Sequence, residues 1–184
     1  MLAAAPSVGT LAALTGVLWV SEAVDFVVFR GRLDQYGVVP RTLSGLWGIL
    51  FAPFLHGGFS HLATNTVALV MMWPFLWMML SRRGDLFIVA ATAAVTSGLA
   101  AWVLGPANTV TVGFSGVLFG FLGYLITRGF FERSLATLLV SAVVIWLFGS
   151  MVFGIVPGFA GVGISWQAHL GGFIGGVWVA ARRR

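Results

Sequence analysis

The chain has 184 residues, 59% hydrophobic and 8% charged, with a mean hydropathy of +1.02 and a formal charge of +5. That balance excludes a soluble globular domain. The positive charge comes from scattered arginines with no lysine, which argues against a nucleic-acid-binding patch, and the absence of cysteine excludes disulfides, thiol chemistry and cysteine-ligated metal.

A helix needs about 20 apolar residues to cross roughly 30 Å of hydrocarbon. Dividing the chain at its arginines, prolines and glycine-rich stretches gives six candidate spans, near 9–28, 60–80, 86–104, 115–128, 134–153 and 165–181, within one membrane domain covering 1–184. The segment before Leu11 lacks the basic region of a secretory signal, so the first span is expected to be retained. Glu22 and Asp25 lie in that span, where a charge is costly. They are expected to reach the interface or to pair with Arg30 or Arg32, in a structural rather than catalytic role. The loop from Arg30 to Phe54 carries Leu43, Leu46, Trp47, Ile49, Leu50 and Phe51, a composition suited to short helices resting among lipid headgroups. The second span opens on His56-Gly-Gly-Phe-Ser-His61-Leu-Ala-Thr-Asn65. The fourth, cut at Arg128, is short at roughly 21 Å, so its start is expected to lie below the membrane surface. It opens on Gly113-Phe114-Ser115-Gly116, and the sixth on Ala168-His169-Leu-Gly-Gly172-Phe-Ile-Gly-Gly176.

Positive residues collect in cytoplasmic loops. With the N-terminus inside, Arg82, Arg83, Arg128, Arg133, Arg182, Arg183 and Arg184 fall inside, against Arg30, Arg32 and Arg41 outside, which puts both termini in the cytoplasm. The second, fourth and sixth spans then run from outside to inside. Their first turns, carrying His61 with Asn65, Ser115, and His169, share one depth near the outer face.

A serine hydroxyl is inert until a positioned neighbour accepts its proton. Ser115 and His169 are the candidate nucleophile and base. No carboxylate adjoins either in sequence, so a dyad is expected, with packing orienting the imidazole. Gly116 and Gly120 face Gly172 and Gly176 at the four-residue spacing that lets membrane helices approach closely. Ser115 at a helix start also has unpaired backbone N–H groups available to a developing oxyanion. His61 and Asn65, one helical turn apart, suit the remaining donors of an oxyanion hole. His56 is expected to brace its loop. Three histidines could instead hold zinc or copper, but the spacing of His56 and His61 suits joint ligation poorly and no carboxylate lies nearby, so no metal and no other cofactor is expected.

These motifs resemble the rhomboid intramembrane serine proteases, in which a His-x4-His-x3-Asn element opens the second span, Gly-x-Ser-Gly the fourth and Ala-His-x2-Gly-x3-Gly the sixth. Here they read His56, His61 and Asn65; Gly113, Ser115 and Gly116; and Ala168, His169, Gly172 and Gly176. The resemblance implies an all-α, six-transmembrane-helix bundle with an embedded first loop and a short central fourth helix, as in prokaryotic members of the family. It implies a Ser115 nucleophile, a His169 base, and an oxyanion hole formed by His61, Asn65 and the Ser115 amide. It further implies transmembrane protein substrates cut in or beside the bilayer of a bacterial plasma membrane. The Gly154–Gly163 loop would cap the site, and the fifth span with Trp146 and Phe148 would form a lateral gate. Two positions depart from the pattern. Trp47-Gly48 stands where relatives often carry Trp-Arg, which removes a loop-anchoring cation, and Phe119 stands where Tyr is common, leaving a ring that packs on His169 without donating. A catalytically silent protein that binds membrane clients is the alternative in a different class; a histidine-lined metal transporter is a third.

Overall fold

A computed structural model describes residues 5–80, 83–161 and 163–182. Arg82, Arg183 and Arg184 of the topology argument, and Val162 of the expected cap, lie outside the described residues. Among the described residues the fold is helical, with a single β-bridge between Val38 and Thr111. The helices are α1 (Val8–Val24), α2 (Leu43–Phe51), α3 (Phe59–Met79), α4 (Arg83–Leu104), α5 (Ser115–Glu132), α6 (Leu135–Phe148) and α7 (Trp166–Arg182). Among the described residues four stretches are long and apolar enough to cross a membrane: Val8–Phe29, Phe59–Met79, Gly84–Leu104 and Leu135–Ile155.

Ser7 and Thr10 start α1 with a reciprocal capping box, and the helix continues through a π turn over Asp25–Phe29 until Arg30 adopts the left-handed conformation. This turn settles the fate of the two acids. Glu22 and Asp25 are buried, while Arg30 and Arg32 are exposed beyond the left-handed residue that turns the chain away. Among the described residues neither acid pairs with Arg30 or Arg32, and neither is exposed at the interface. Asp25 instead accepts the Leu33 N–H at 3.0 Å, tying the end of α1 to the 3-10 turn Leu33–Tyr36. Asp34 in that turn is pushed up to about 6, first by burial and then by the charge of Asp25.

The first loop folds into short helices, the 3-10 turns Leu33–Tyr36 and Ala52–Phe54 on either side of α2. Thr42 caps α2 through the Gly45 N–H, and α2 leaves Leu43, Trp47, Leu50 and Phe51 exposed on an apolar outer face. Its inner face is stripped to backbone: a Cβ on Gly45 would collide with Val39, and one on Gly48 with Gly37.

Ten consecutive residues of α5, Gly116 to Leu125, are buried, so this helix is enclosed by its neighbours, as an all-round apolar helix must be. It is central, and longer than the expected 115–128. It runs 18 residues, about 27 Å, because Arg128 does not end it. The Arg128 side chain pairs with Glu132 one turn on at 3.1 Å and donates to the Ala180 carbonyl, so its charge is carried to the helix end on an apolar stem. α7 lies directly against α5. A Cβ on Gly172 would strike the Gly116 carbonyl, and one on Gly176 the Gly120 carbonyl. On its other side α7 meets α4, where Gly171 and Gly175 rest on Thr96 and neighbouring alanines. α6 is more loosely seated, with Trp146 83% exposed and Phe148 buried edge-on against Phe75. Its firm tie lies at its middle, where the Ser141 hydroxyl donates to the Leu125 carbonyl at 2.7 Å and accepts the Gly129 N–H at 3.2 Å.

Candidate active site

The N-terminal ends of α3, α5 and α7 meet around a cavity of about 450 Å³ whose walls include His61, Asn65, Ser115 and His169. Glu22 and Asp25 are not among its lining residues.

Ser115 is the first residue of α5, and the turn before it takes its shape from elsewhere in the chain. Gly113 has φ of +121°, a conformation that a side chain would strain, and a Cβ there would also lie 2.6 Å from the His61 ring. Its N–H donates to the Ala52 carbonyl at 2.8 Å. The next N–H, on Phe114, donates to His56 Nε2 at 3.3 Å. His56 is thus a brace, but it holds the serine turn 58 residues away rather than only its own loop. An imidazole nitrogen that accepts a hydrogen bond must be unprotonated. Burial, reinforced by neighbouring His61, lowers the His56 pKa to about 4 and keeps the ring neutral.

Ser115 Oγ lies 2.9 Å from His169 Nε2. The other ring nitrogen, Nδ1, lies 3.1 Å from the Gly154 carbonyl. A carbonyl can only accept, so Nδ1 carries the proton and Nε2 is left as the acceptor facing the serine hydroxyl. The Phe119 ring stacks on the imidazole at 4.0 Å with 12° between planes. Packing alone was expected to orient this ring; a backbone carbonyl does so as well. No sequence signal marks Gly154 for this task, because a carbonyl is common to every residue. A side chain at this position would push on the stack, since a Cβ would lie 2.8 Å from the tip of the Phe119 ring and 3.4 Å from His169 Nδ1.

His61 and Asn65 sit one turn apart on α3, both facing the cavity beside Gly113. Asn65 is 4% exposed, and its amide nitrogen has no hydrogen-bond partner among the described residues. A buried donor without an acceptor costs about 1–3 kcal/mol. Such a group in a cavity beside a serine hydroxyl is suited to an acceptor that arrives with a ligand. Gly116, Gly172 and Gly176, the expected packing residues, bring α5 and α7 close enough for the Ser115–His169 contact. The expected cap contributes Gly163 to the cavity wall and Gly154 to the His169 contact.

Known proteins are similar to this chain in sequence. The pattern of the Rhomboid domain matches residues 43–183. An uncharacterized protein of Mycobacterium tuberculosis is 34% identical over 180 residues, covering 93% of this chain and 72% of that protein. YdcA of Bacillus subtilis is 30% identical over 175 residues, covering 93% and 85%. The rhomboid protease GluP of the same organism is 33% identical over 157 residues, covering 81% of this chain and 29% of its own. With the family pattern spanning most of its length and its helices long and apolar enough to cross a bilayer repeatedly, this multi-pass membrane chain belongs to the rhomboid family.

Proposed function

We propose that this chain is an intramembrane serine endopeptidase that uses Ser115 and His169 as a dyad to cleave transmembrane proteins within or beside the bilayer. The observation that carries the reading is the 2.9 Å contact between Ser115 Oγ and His169 Nε2 beside the unpartnered Asn65 amide. Ser115 Oγ attacks the scissile carbonyl and passes its proton to His169 Nε2, forming an imidazolium held through Nδ1–H by the Gly154 carbonyl. The tetrahedral oxyanion takes hydrogen bonds from the Ser115 N–H at the start of α5, from Asn65 Nδ2 and from His61. His169 then protonates the leaving amine, and a water entering the cavity hydrolyses the acyl-enzyme with His169 again as base.

In this reading α1 and α3 to α7 are six spans of one membrane domain, with both termini cytoplasmic and the cavity opening toward the outer face. The protein resides in a plasma membrane, and its substrates present an extended stretch of backbone, because a helix shields its own carbonyls. A fluorophosphonate probe applied to detergent-solubilised protein should label Ser115 and leave Ser115→Ala and His169→Ala unlabelled. Equal labelling of Ser115→Ala, or capture of a membrane client without cleavage by the unaltered chain, would overturn the assignment.

A further inference from the structure

The carboxyl end of α4 presents four successive carbonyls, on Trp102, Val103, Leu104 and Gly105, and all four are taken by groups from other parts of the chain. Arg41 takes three: its backbone N–H donates to Trp102 at 3.1 Å, and its Nη1 donates to Val103 at 3.2 Å and Gly105 at 2.7 Å. Gln167 Nε2 takes the Leu104 carbonyl at 3.3 Å. Trp102 returns a bond, its indole N–H donating to the Thr42 carbonyl at 2.8 Å. A helix end has unpaired carbonyls and the negative pole of the helix dipole, and a guanidinium answers both.

The two donors lead to the two halves of the site. Three residues before Arg41, Val38 exchanges both backbone hydrogen bonds with Thr111 at 2.9 Å, and Thr111 lies two residues before Gly113 of the serine turn. Gln167, buried, stands two residues before His169 on α7. The end of α4 is therefore the point from which the nucleophile's segment and the base's helix are both measured. Gly48, by contrast, is pressed against Gly37 with no room for a side chain.

We propose that Arg41 is a positioning residue for the Ser115–His169 reaction, acting as a cationic clamp between the first loop and the end of α4 that holds the Val38–Thr111 bridge in register. It supplies at position 41 the loop anchor that position 48 cannot. The role rests on the protease reading, because what it positions is that dyad.

Arg41 has φ of +57°, so Arg41→Gly removes the clamp while relieving the backbone, and it should fold. Both side-chain bonds come from one nitrogen, so Arg41→Lys should preserve them. The experiment uses the full chain in detergent and follows cleavage of a single-span model substrate, fluorophosphonate labelling of Ser115, and hydrogen exchange at the Val38 and Thr111 amides. Arg41→Gly is expected to lower kcat about ten- to a hundredfold with KM within about twofold, as a displaced dyad requires. The two amides should exchange about tenfold faster, and Arg41→Lys should restore both readouts to within about threefold. Unchanged kcat or unchanged exchange in Arg41→Gly overturns the clamp, as does an equal loss in Arg41→Lys. If the unaltered chain neither labels nor cleaves, the protease reading fails by itself, and the exchange measurement still decides whether Arg41 holds the bridge.

Discussion

Replacing Asn65 with leucine separates chemistry from stability. The two side chains share branching and heavy-atom count, and leucine is the larger, so Asn65→Leu opens no cavity in a helix position that is 4% exposed. The amide nitrogen has no partner in the resting protein, so the substitution breaks no donated hydrogen bond and removes a buried unsatisfied group whose cost is about 1–3 kcal/mol. The melting temperature in detergent should hold or rise. Catalysis should move the other way: an oxyanion-hole donor is worth about 100-fold to 1000-fold in kcat, or about 2.7–4 kcal/mol. The assay is steady-state cleavage of a purified single-span substrate, with thermal unfolding measured on the same preparations. A leucine variant that keeps a third or more of kcat would refute the use of this amide in the transition state. A variant that melts many degrees lower would show that Asn65 holds the fold.

Other outcomes follow from the same geometry. Gly176→Ala drives a methyl into the Gly120 carbonyl and should destabilise by about 1–3 kcal/mol in thermal melts, whereas Gly16→Ala, with open space around its Cβ, should be neutral or slightly stabilising. Phe119→Leu removes the ring stacked on His169 and should cost about 0.5–1.5 kcal/mol in kcat/KM, while Phe119→Tyr keeps the stack and most of the rate. His56 titrates near 4 in the fold against its ordinary 6.5, so the unfolded chain binds more protons between those values. Stability therefore falls as pH drops through that window, by at most about 3 kcal/mol from this group, and His56→Phe should flatten that part of the melting-temperature profile.

The helices were legible because hydropathy and bilayer thickness fix them: the expected 60–80 and 165–181 became Phe59–Met79 and Trp166–Arg182. In sequence an arginine marks the end of an apolar stretch and so shortens α5, although a long side chain can extend its charge past the apolar layer from inside a helix. Glu22 and Asp25 misled in the opposite sense. Sequence leaves them either reaching the interface or pairing with Arg30 or Arg32, but the left-handed Arg30 sends those cations outward and a backbone N–H takes the Asp25 carboxylate. In the site, side chains with rare chemistry announced themselves. The carbonyls of Gly154, Ala52 and Val103 did not, because backbone acceptors have no signature in sequence and their use depends wholly on tertiary placement.

The short run before Ser115 has little conformation of its own. Thr111 is held by Val38, Gly113 by Ala52 and Phe114 by His56, three successive ties to chain laid down more than fifty residues earlier. During synthesis the residues that hold the serine segment leave the ribosome before it does. A graft between relatives that moves residues 110–115 without residues 38–56 would pour that segment into the wrong cast, however faithfully the motif letters were copied.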